Sequence, residues 1–266
     1  MDIHFDGPLH MFITVLGFFF GHFLLIAGAA YLLVWKLGSE RLAHRRIQTR
    51  PRVARPWLEL QYSALSILIF ALLVSALWLV AETGITQVYF RFDEYGVAWF
   101  VCSIAIMALV HDTYYYFAHR FMHHPRLFRH VHMLHHRFGN PTPFASYAFH
   151  PWEALIEVAW FGPLVFLLPI HPAAFGIYVV LLTLLNVVSH LGYEFYPALV
   201  ARWFITSTHH NMHHSGSRGH YMLYFNLWDR LLGTNMPDYE AKVRAIAARP
   251  APEGPPRPSE GALAPG

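Results

Sequence analysis

The chain contains a single cysteine, Cys102, in 266 residues. A disulfide framework, a cysteine-built zinc site and a thiolate-held iron–sulfur cluster are thereby excluded, so any metal must be held by nitrogen and oxygen. Formal charge is also scarce. Asp, Glu, Lys and Arg make up 13% of the residues, about half the usual ~25%. The sequence has no G-x-G-x-x-G loop, no Glu-x-x-His pair of the soluble di-iron bundles and no His-Glu-x-x-His of the zinc proteases. Apolar residues take up the difference: 55% are hydrophobic and 17% aromatic, with a mean hydropathy of +0.33. That is more than one soluble core of this length needs, so much of the surface is expected to face lipid. The pI near 9.0 comes from basic residues confined to segments between apolar runs, which membrane topology explains better than nucleic acid.

Residues 11–35 are 25 in a row without formal charge, and roughly 20 suffice to cross a ~30 Å hydrocarbon core. The run is too long for a signal-peptide core and follows an acidic flank, so it is expected to remain in the mature chain. Residues 62–81 form a second uncharged run. A third, 97–118, changes character at His111 and Asp112, where it is expected to leave the lipid. Residues 158–188 are apolar but punctuated by Pro163, Pro169 and Pro172, which predicts a helical hairpin in which neither half is a full span. The expected fold is an all-α integral membrane protein: three spans plus a hairpin, with a cytoplasmic helical cap that carries the histidines. From Arg249 to Gly266 there are six prolines and three glycines, a tail expected to be disordered.

Lysine and arginine set the orientation. None precedes residue 36, and seven crowd the first loop between Lys36 and Arg55. The positive-inside rule places that loop in the cytoplasm and the N-terminus outside. Three spans and a returning hairpin then bring every histidine-rich segment, and the C-terminus, to the cytoplasmic side. The setting expected is a bacterial inner membrane.

The chain has twenty histidines, most of them between His111 and His220. In HRFMH, His119 and His123 have i, i+4 spacing, which stacks two imidazoles on one helix face. Pro125 restricts His124 and ends that helix. HMLHH places His132, His135 and His136 at i, i+3, i+4, and HNMHH repeats the spacing with His210, His213 and His214. His190 ends the hairpin, with Asn186 one turn before it and Glu194 one turn after. His4, His10, His22, His44 and His171 stand alone and read as hydrogen-bonded structural residues. Eight imidazoles crowded on one membrane face without a metal would compete for few hydrogen-bond partners, and protonating them would accumulate like charge. Eight or nine such ligands exceed the four-coordinate needs of one zinc ion, so two metals are implied, and imidazole suits iron, copper, nickel and zinc alike.

The runs HDTYYYFAHRFMHH, LFRHVHMLHH, TPFASYAFHP, NVVSHLGYE and STHHNMHH, with WDRLLGT following, resemble the sterol desaturase and fatty acid hydroxylase superfamily of membrane di-iron enzymes over roughly residues 97–240. TPFASYAFHP and the HRFMH spacing are similar to its sterol C5 desaturase branch. The resemblance implies two non-haem irons held by His119, His123, His132, His135, His136, His190, His210, His213 and His214. It implies an oxidoreductase that uses dioxygen and two electrons to hydroxylate or desaturate a lipid C–H bond. Some relatives carry a histidine where Glu194 stands, so this carboxylate is expected to ligate iron or to accept a hydrogen bond from a ligating imidazole. His111, Asp112, Asn186 and Asp229 are candidates for orienting ligands. His150 either joins them or simply caps the turn before Pro151.

Residues 1–96 are then an N-terminal transmembrane region with a basic loop over 36–56, residues 97–245 the catalytic domain, and residues 246–266 a Pro-rich tail. With no haem-binding cytochrome domain and no cysteine cluster, electrons are expected from a separate ferredoxin or cytochrome with its reductase. Tyr114 to Phe117, with Trp99 and Phe100, could line a lipid channel, although interfacial aromatics are expected in any case. The rival reading is a membrane metal transporter or metal-storage protein, which would spread its ligands through the bilayer midplane and usually show an internal repeat. A bis-histidine haem protein would instead place paired histidines within the spans.

Overall fold

The structure, a computed structural model, describes residues 6–49, 53–216 and 218–252; His4 and the tail from residue 253 onward lie outside them. The described residues form helices with three isolated β-bridges and no strand. The elements are α1 (Pro8–Ala30, continued as a π-helical turn Tyr31–Leu37), α2 (Pro56–Glu82), α3 (Gly96–Met122), α4 (Pro125–Val131), α5 (Met133–His136), α6 (Pro151–Ala159), α7 (Phe161–Leu167), α8 (Pro172–Ser189), α9 (Ala198–Ala201), α10 (Ser207–Gly216), α11 (Leu227–Leu231) and α12 (Tyr239–Ala247).

Among the described residues, four helical segments are long and apolar enough to cross a membrane: Pro8–Leu37, Pro56–Glu82, Gly96–Met122 and Pro172–Ser189. They bury Phe23, Ile67, Met107 and Tyr178 against one another. Leu25, Leu72, Val101 and Leu184 stay exposed on their outer faces, as lipid-facing residues do. The protein is an all-α integral membrane protein.

The hairpin differs in one respect from its sequence reading. Its second arm, α8, is by itself an 18-residue candidate span. Pro172 occupies the first helical position, where the missing N–H is not needed, so it starts the helix instead of interrupting it. The first arm is split: Pro163 cannot donate to the Ala159 carbonyl, and α6 gives way to α7 at Trp160. His-Pro pairs open three helices. The Nδ1 atoms of His124, His150 and His171 accept from the backbone N–H two residues on, at 3.4, 3.3 and 3.1 Å.

Long-range hydrogen bonds show which helix ends meet. At one end, the Trp35 indole donates to the Leu191 carbonyl (2.8 Å), Ser63 to the Phe144 carbonyl (2.6 Å) and the Ile47 N–H to the Gly192 carbonyl (3.1 Å). The buried Glu59 carboxylate takes the Thr142 hydroxyl and, at 3.2 Å, its N–H. At the other end, Trp99 donates to the Pro169 carbonyl (3.0 Å) and His171 to the Phe90 carbonyl (3.1 Å). The C-termini of α3 and α8 therefore lie at the same end. The 17 residues of α6–α7, roughly 25 Å of helix, carry the chain back between them. That end also holds the basic loop after α1.

Candidate metal centre

The nine histidines expected to act together do meet, and they divide into two adjoining groups: His119, His123, His132, His136 and His213, and His135, His190, His210 and His214. Within each group one ring nitrogen per residue lies within 4.8 Å of all the others. Each HxxHH segment contributes to both groups. His132 and His136 enter the first while His135 enters the second; His210 and His214 enter the second while His213 enters the first. At about 100° per helical residue, i and i+4 stay close on one face while i+3 and i+4 diverge, so neighbouring imidazoles reach separate groups.

The outer ring nitrogens are tied to the protein. His119 Nδ1 donates to the Tyr221 carbonyl (3.1 Å), His213 Nδ1 to Gly219 (2.8 Å), His135 Nδ1 to Ala148 (3.4 Å) and His190 Nδ1 to Asn186 (2.8 Å), and His132 Nδ1 lies 2.6 Å from Glu153 Oε1. A carbonyl can only accept, so each of those rings carries its proton on Nδ1 and presents a lone pair at Nε2. Those lone pairs face one another. His119 Nε2 is 3.0 Å from His132 Nε2, His123 is 3.1 Å from His213, and His136 is 3.1 Å from His132. In the second group His210 is 2.9 Å from both His190 and His214, and His214 is 3.1 Å from His135.

Burial, and after it the neighbouring imidazoles, holds His132, His135, His210, His213 and His214 well below the ordinary histidine value. Burial takes His136 to about 3 and His190 to about 4. These rings are neutral at pH 7, the form that binds metal. Where both rings are so fixed, as between His119 and His132 and between His135 and His190 (3.5 Å), convergent lone pairs with no proton between them repel, and a cation at each group removes the repulsion. The residues present fit a pair of metal ions.

The other candidates act at one remove or elsewhere. Glu194 is the clear correction. α8 stops at Ser189, and Gly192 turns the chain at φ +75°, so Glu194 does not share a helix face with His190. Its oxygens accept from the Tyr196 N–H (2.9 Å), the Thr206 hydroxyl (2.6 Å) and the Thr208 N–H (3.1 Å), with no imidazole partner among the described residues. It caps α10, which carries His210, His213 and His214. Asn186 holds His190 through its carbonyl while its amide donates to Ser146 (2.7 Å). Asp229 accepts from the N–H groups of Tyr221 (2.9 Å) and Met222 (3.1 Å), fixing the segment whose carbonyl orients His119, and also pairs with His209 at 3.2 Å. Asp112 takes the Tyr224 N–H at 2.7 Å and so pins the same segment to α3.

His111 touches no cluster imidazole; it stacks on Trp160 (4.5 Å, 11°) and meets the Tyr178 hydroxyl at 2.5 Å. His150 caps α6. His10, His22 and His44 bond locally or to Thr183, away from both groups. Of the aromatic run, Tyr115 reaches an internal cavity, whereas Tyr114 donates to the Ile156 carbonyl and Phe117 is exposed. Sequence reasoning missed Glu153, whose only signal was an acidic residue in an apolar helix. It also missed the main-chain acceptors at Ala148, Gly219 and Tyr221, which leave no signal in side-chain identity.

The fold and this site together define an integral membrane protein with two adjoining histidine groups, each able to hold a metal ion, at one end of its helical bundle. Residues 104–234, which contain all nine histidines, match the fatty acid hydroxylase family. The chain belongs to the sterol desaturase and fatty acid hydroxylase superfamily. It is 29% identical over 232 residues to a Delta(7)-sterol 5(6)-desaturase of Gibberella zeae, an alignment covering 84% of this chain and 72% of that one. It is 29% identical to human lathosterol oxidase, over 69% of this chain and 63% of the relative, and 32% identical to rat methylsterol monooxygenase 1, over 48% and 45%. The chain thus spans less than two thirds of the latter two. No solved structure matches.

Proposed function

We propose that this chain is a membrane-bound non-haem di-iron oxygenase that uses dioxygen and two externally supplied electrons to hydroxylate or desaturate a lipid C–H bond. The observation that carries the reading is the set of nine imidazoles in two adjoining groups, eight buried and His123 half-buried, with five of them fixed by their Nδ1 partners to present Nε2 inward. The relatives are named as a desaturase, an oxidase and a monooxygenase, and zinc, which has no redox chemistry, does not serve such reactions. Iron, when bound, would supply the redox change and the activation of dioxygen.

The protein's own residues would do the rest. His119, His123, His132, His136 and His213 would hold one ion, and His135, His190, His210 and His214 the other. Glu153 would raise the basicity of His132. Asp229, Asp112 and Glu194 would keep the segments bearing the ligands in place. The catalytic region is 97–245, and the helices before it supply lipid-facing surface. The basic loop shares the end of the bundle that holds the histidines, so the positive-inside rule puts the centre and the C-terminus in the cytoplasm and the N-terminus outside, in a bacterial inner membrane. A soluble ferredoxin or cytochrome, with its reductase, would deliver electrons there.

A transporter or storage role finds no support. Both groups sit at one end of the bundle, not at its midplane, and the relatives above carry the names of oxidising enzymes. Metal analysis after anaerobic purification should return about two irons per chain, and lipidomics of a host with and without the chain should show one lipid class oxidised. One zinc, or haem alone, would overturn the reading.

A further inference from the structure

Two imidazoles beside the metal centre belong to neither histidine group. His209 and His220 are fully buried, and their rings stack on one another at 3.9 Å and 14°. His220 also has an unusual backbone. At φ +58° it is the only residue other than glycine in the left-handed region among the described residues. That conformation is unfavourable for a residue with a Cβ and persists only where the surroundings impose it. Here they do. The His220 N–H donates to the Thr234 carbonyl (2.9 Å), its Nδ1 donates to the His209 carbonyl (3.0 Å), and His209 Nε2 meets Asp229 Oδ2 at 3.2 Å. The Tyr239 ring stands edge-on to both imidazoles, at 5.1 Å from His209 and 5.2 Å from His220. Gly219 is left-handed as well, at φ +70°, and a Cβ there would collide with the Thr234 carbonyl oxygen.

The carbonyls on either side of His220 are the two that orient ligands of the first group. Gly219 accepts from His213 Nδ1 (2.8 Å) and Tyr221 accepts from His119 Nδ1 (3.1 Å). Those ligands come from α10 and α3, and their rings lie 4.5 Å apart. The Gly219 carbonyl sits before the N–Cα bond of His220 and the Tyr221 carbonyl after it, so rotation about that bond sets the angle between the two acceptors. Returning φ to an ordinary helical value of about −63° would turn one carbonyl by roughly 120° against the other. Both bonds could not then be kept.

We propose that His220 is a positioning residue for the first histidine group: its left-handed backbone aims the Gly219 and Tyr221 carbonyls at His213 and His119 together, so that one loop registers ligands from α10 and α3 on the same ion. The His220 ring holds the turn and does not itself ligate. For the ion, the inference rests on the di-iron reading; for the aim of the two carbonyls it does not.

The test uses the full chain in nanodiscs, with cobalt(II) titrated into it and, separately, NMR of nitrogen-labelled histidine in the metal-free chain. His220→Val, β-branched and disfavoured in the left-handed region, should weaken one of the two cobalt ions by roughly ten- to a hundredfold and leave the other unchanged. It should also lose the Nδ1–H signals of His119 and His213, assigned with alanine at each position. His220→Ala should shift the same way to a smaller degree, which keeps the comparison decisive should the valine chain fail to insert. His220→Gly and His220→Asn, which enter the left-handed region readily, should keep both ions and both signals. Glycine differs from alanine by one methyl, so a packing role for the ring predicts that glycine does no better than alanine. That order would overturn the proposal, and so would full affinity for both ions in the valine and alanine chains, or equal loss of both ions. An unaltered chain that binds no cobalt, while the two signals still follow the backbone series, would sink the di-iron reading alone. Two bound ions that ignore the series would sink the positioning role alone.

Discussion

Glu153 Oε1 lies 2.6 Å from His132 Nδ1, and each side chain is 1% exposed. A carboxylate behind a ligating imidazole fixes its tautomer and strengthens its lone pair. Glu153→Gln should therefore weaken metal binding at the first group by roughly ten- to a hundredfold, read by chelator competition on the full chain. Unchanged affinity would remove Glu153 from this role.

His135 and His213 come from different HxxHH segments and enter different groups. Alanine at either position should abolish lipid oxidation and lower iron content while membrane insertion stays intact, because the apolar helices do not depend on the clusters. A His213→Ala chain with full turnover would take that residue out of the ligand set.

Glu194 is bonded to the start of α10 and to no imidazole. Glu194→Ala leaves the Thr206 hydroxyl and the Thr208 N–H without their acceptor and should cost roughly 1–2 kcal/mol of stability. Glu194→Gln, which keeps an acceptor oxygen, should retain full iron occupancy. Selective loss of one iron from the glutamine variant would show that the carboxylate touches metal after all.

A reporter fused before residue 8 should be found outside and one fused after residue 245 in the cytoplasm, since α6–α7 and α8 together make a crossing and a return. Both reporters on one side would mean that the split first arm does not cross.

Much of this was legible in the amino-acid order. Uncharged runs reveal α1, α2 and α3, because lipid tolerates nothing else at that length. Histidine spacing picked out eight of the nine clustered residues, and the family resemblance added His190. Other features were not readable. Helical periodicity continued past His190 puts Glu194 on the same face, but Gly192 turns the chain first, and that turn depends on packing against the loop around Arg45 and Ile47. The contact of Glu153 with His132 joins residues from separate helices, which no local spacing encodes. Nor does spacing reveal that His135 and His136, adjacent in the chain, serve different groups.

That last division has a mechanical consequence. The segment His132–His136, which is α5 with the residue before it, sends two imidazoles to the first group and one to the second, and α10 does the reverse. The two centres are laced together like crossed fingers, and neither helix can be withdrawn without opening both. On the di-iron reading, metal loss and unfolding at this end of the bundle would thereby be tied into one event, and a chain stripped of one ion would have no intact half on which to rely.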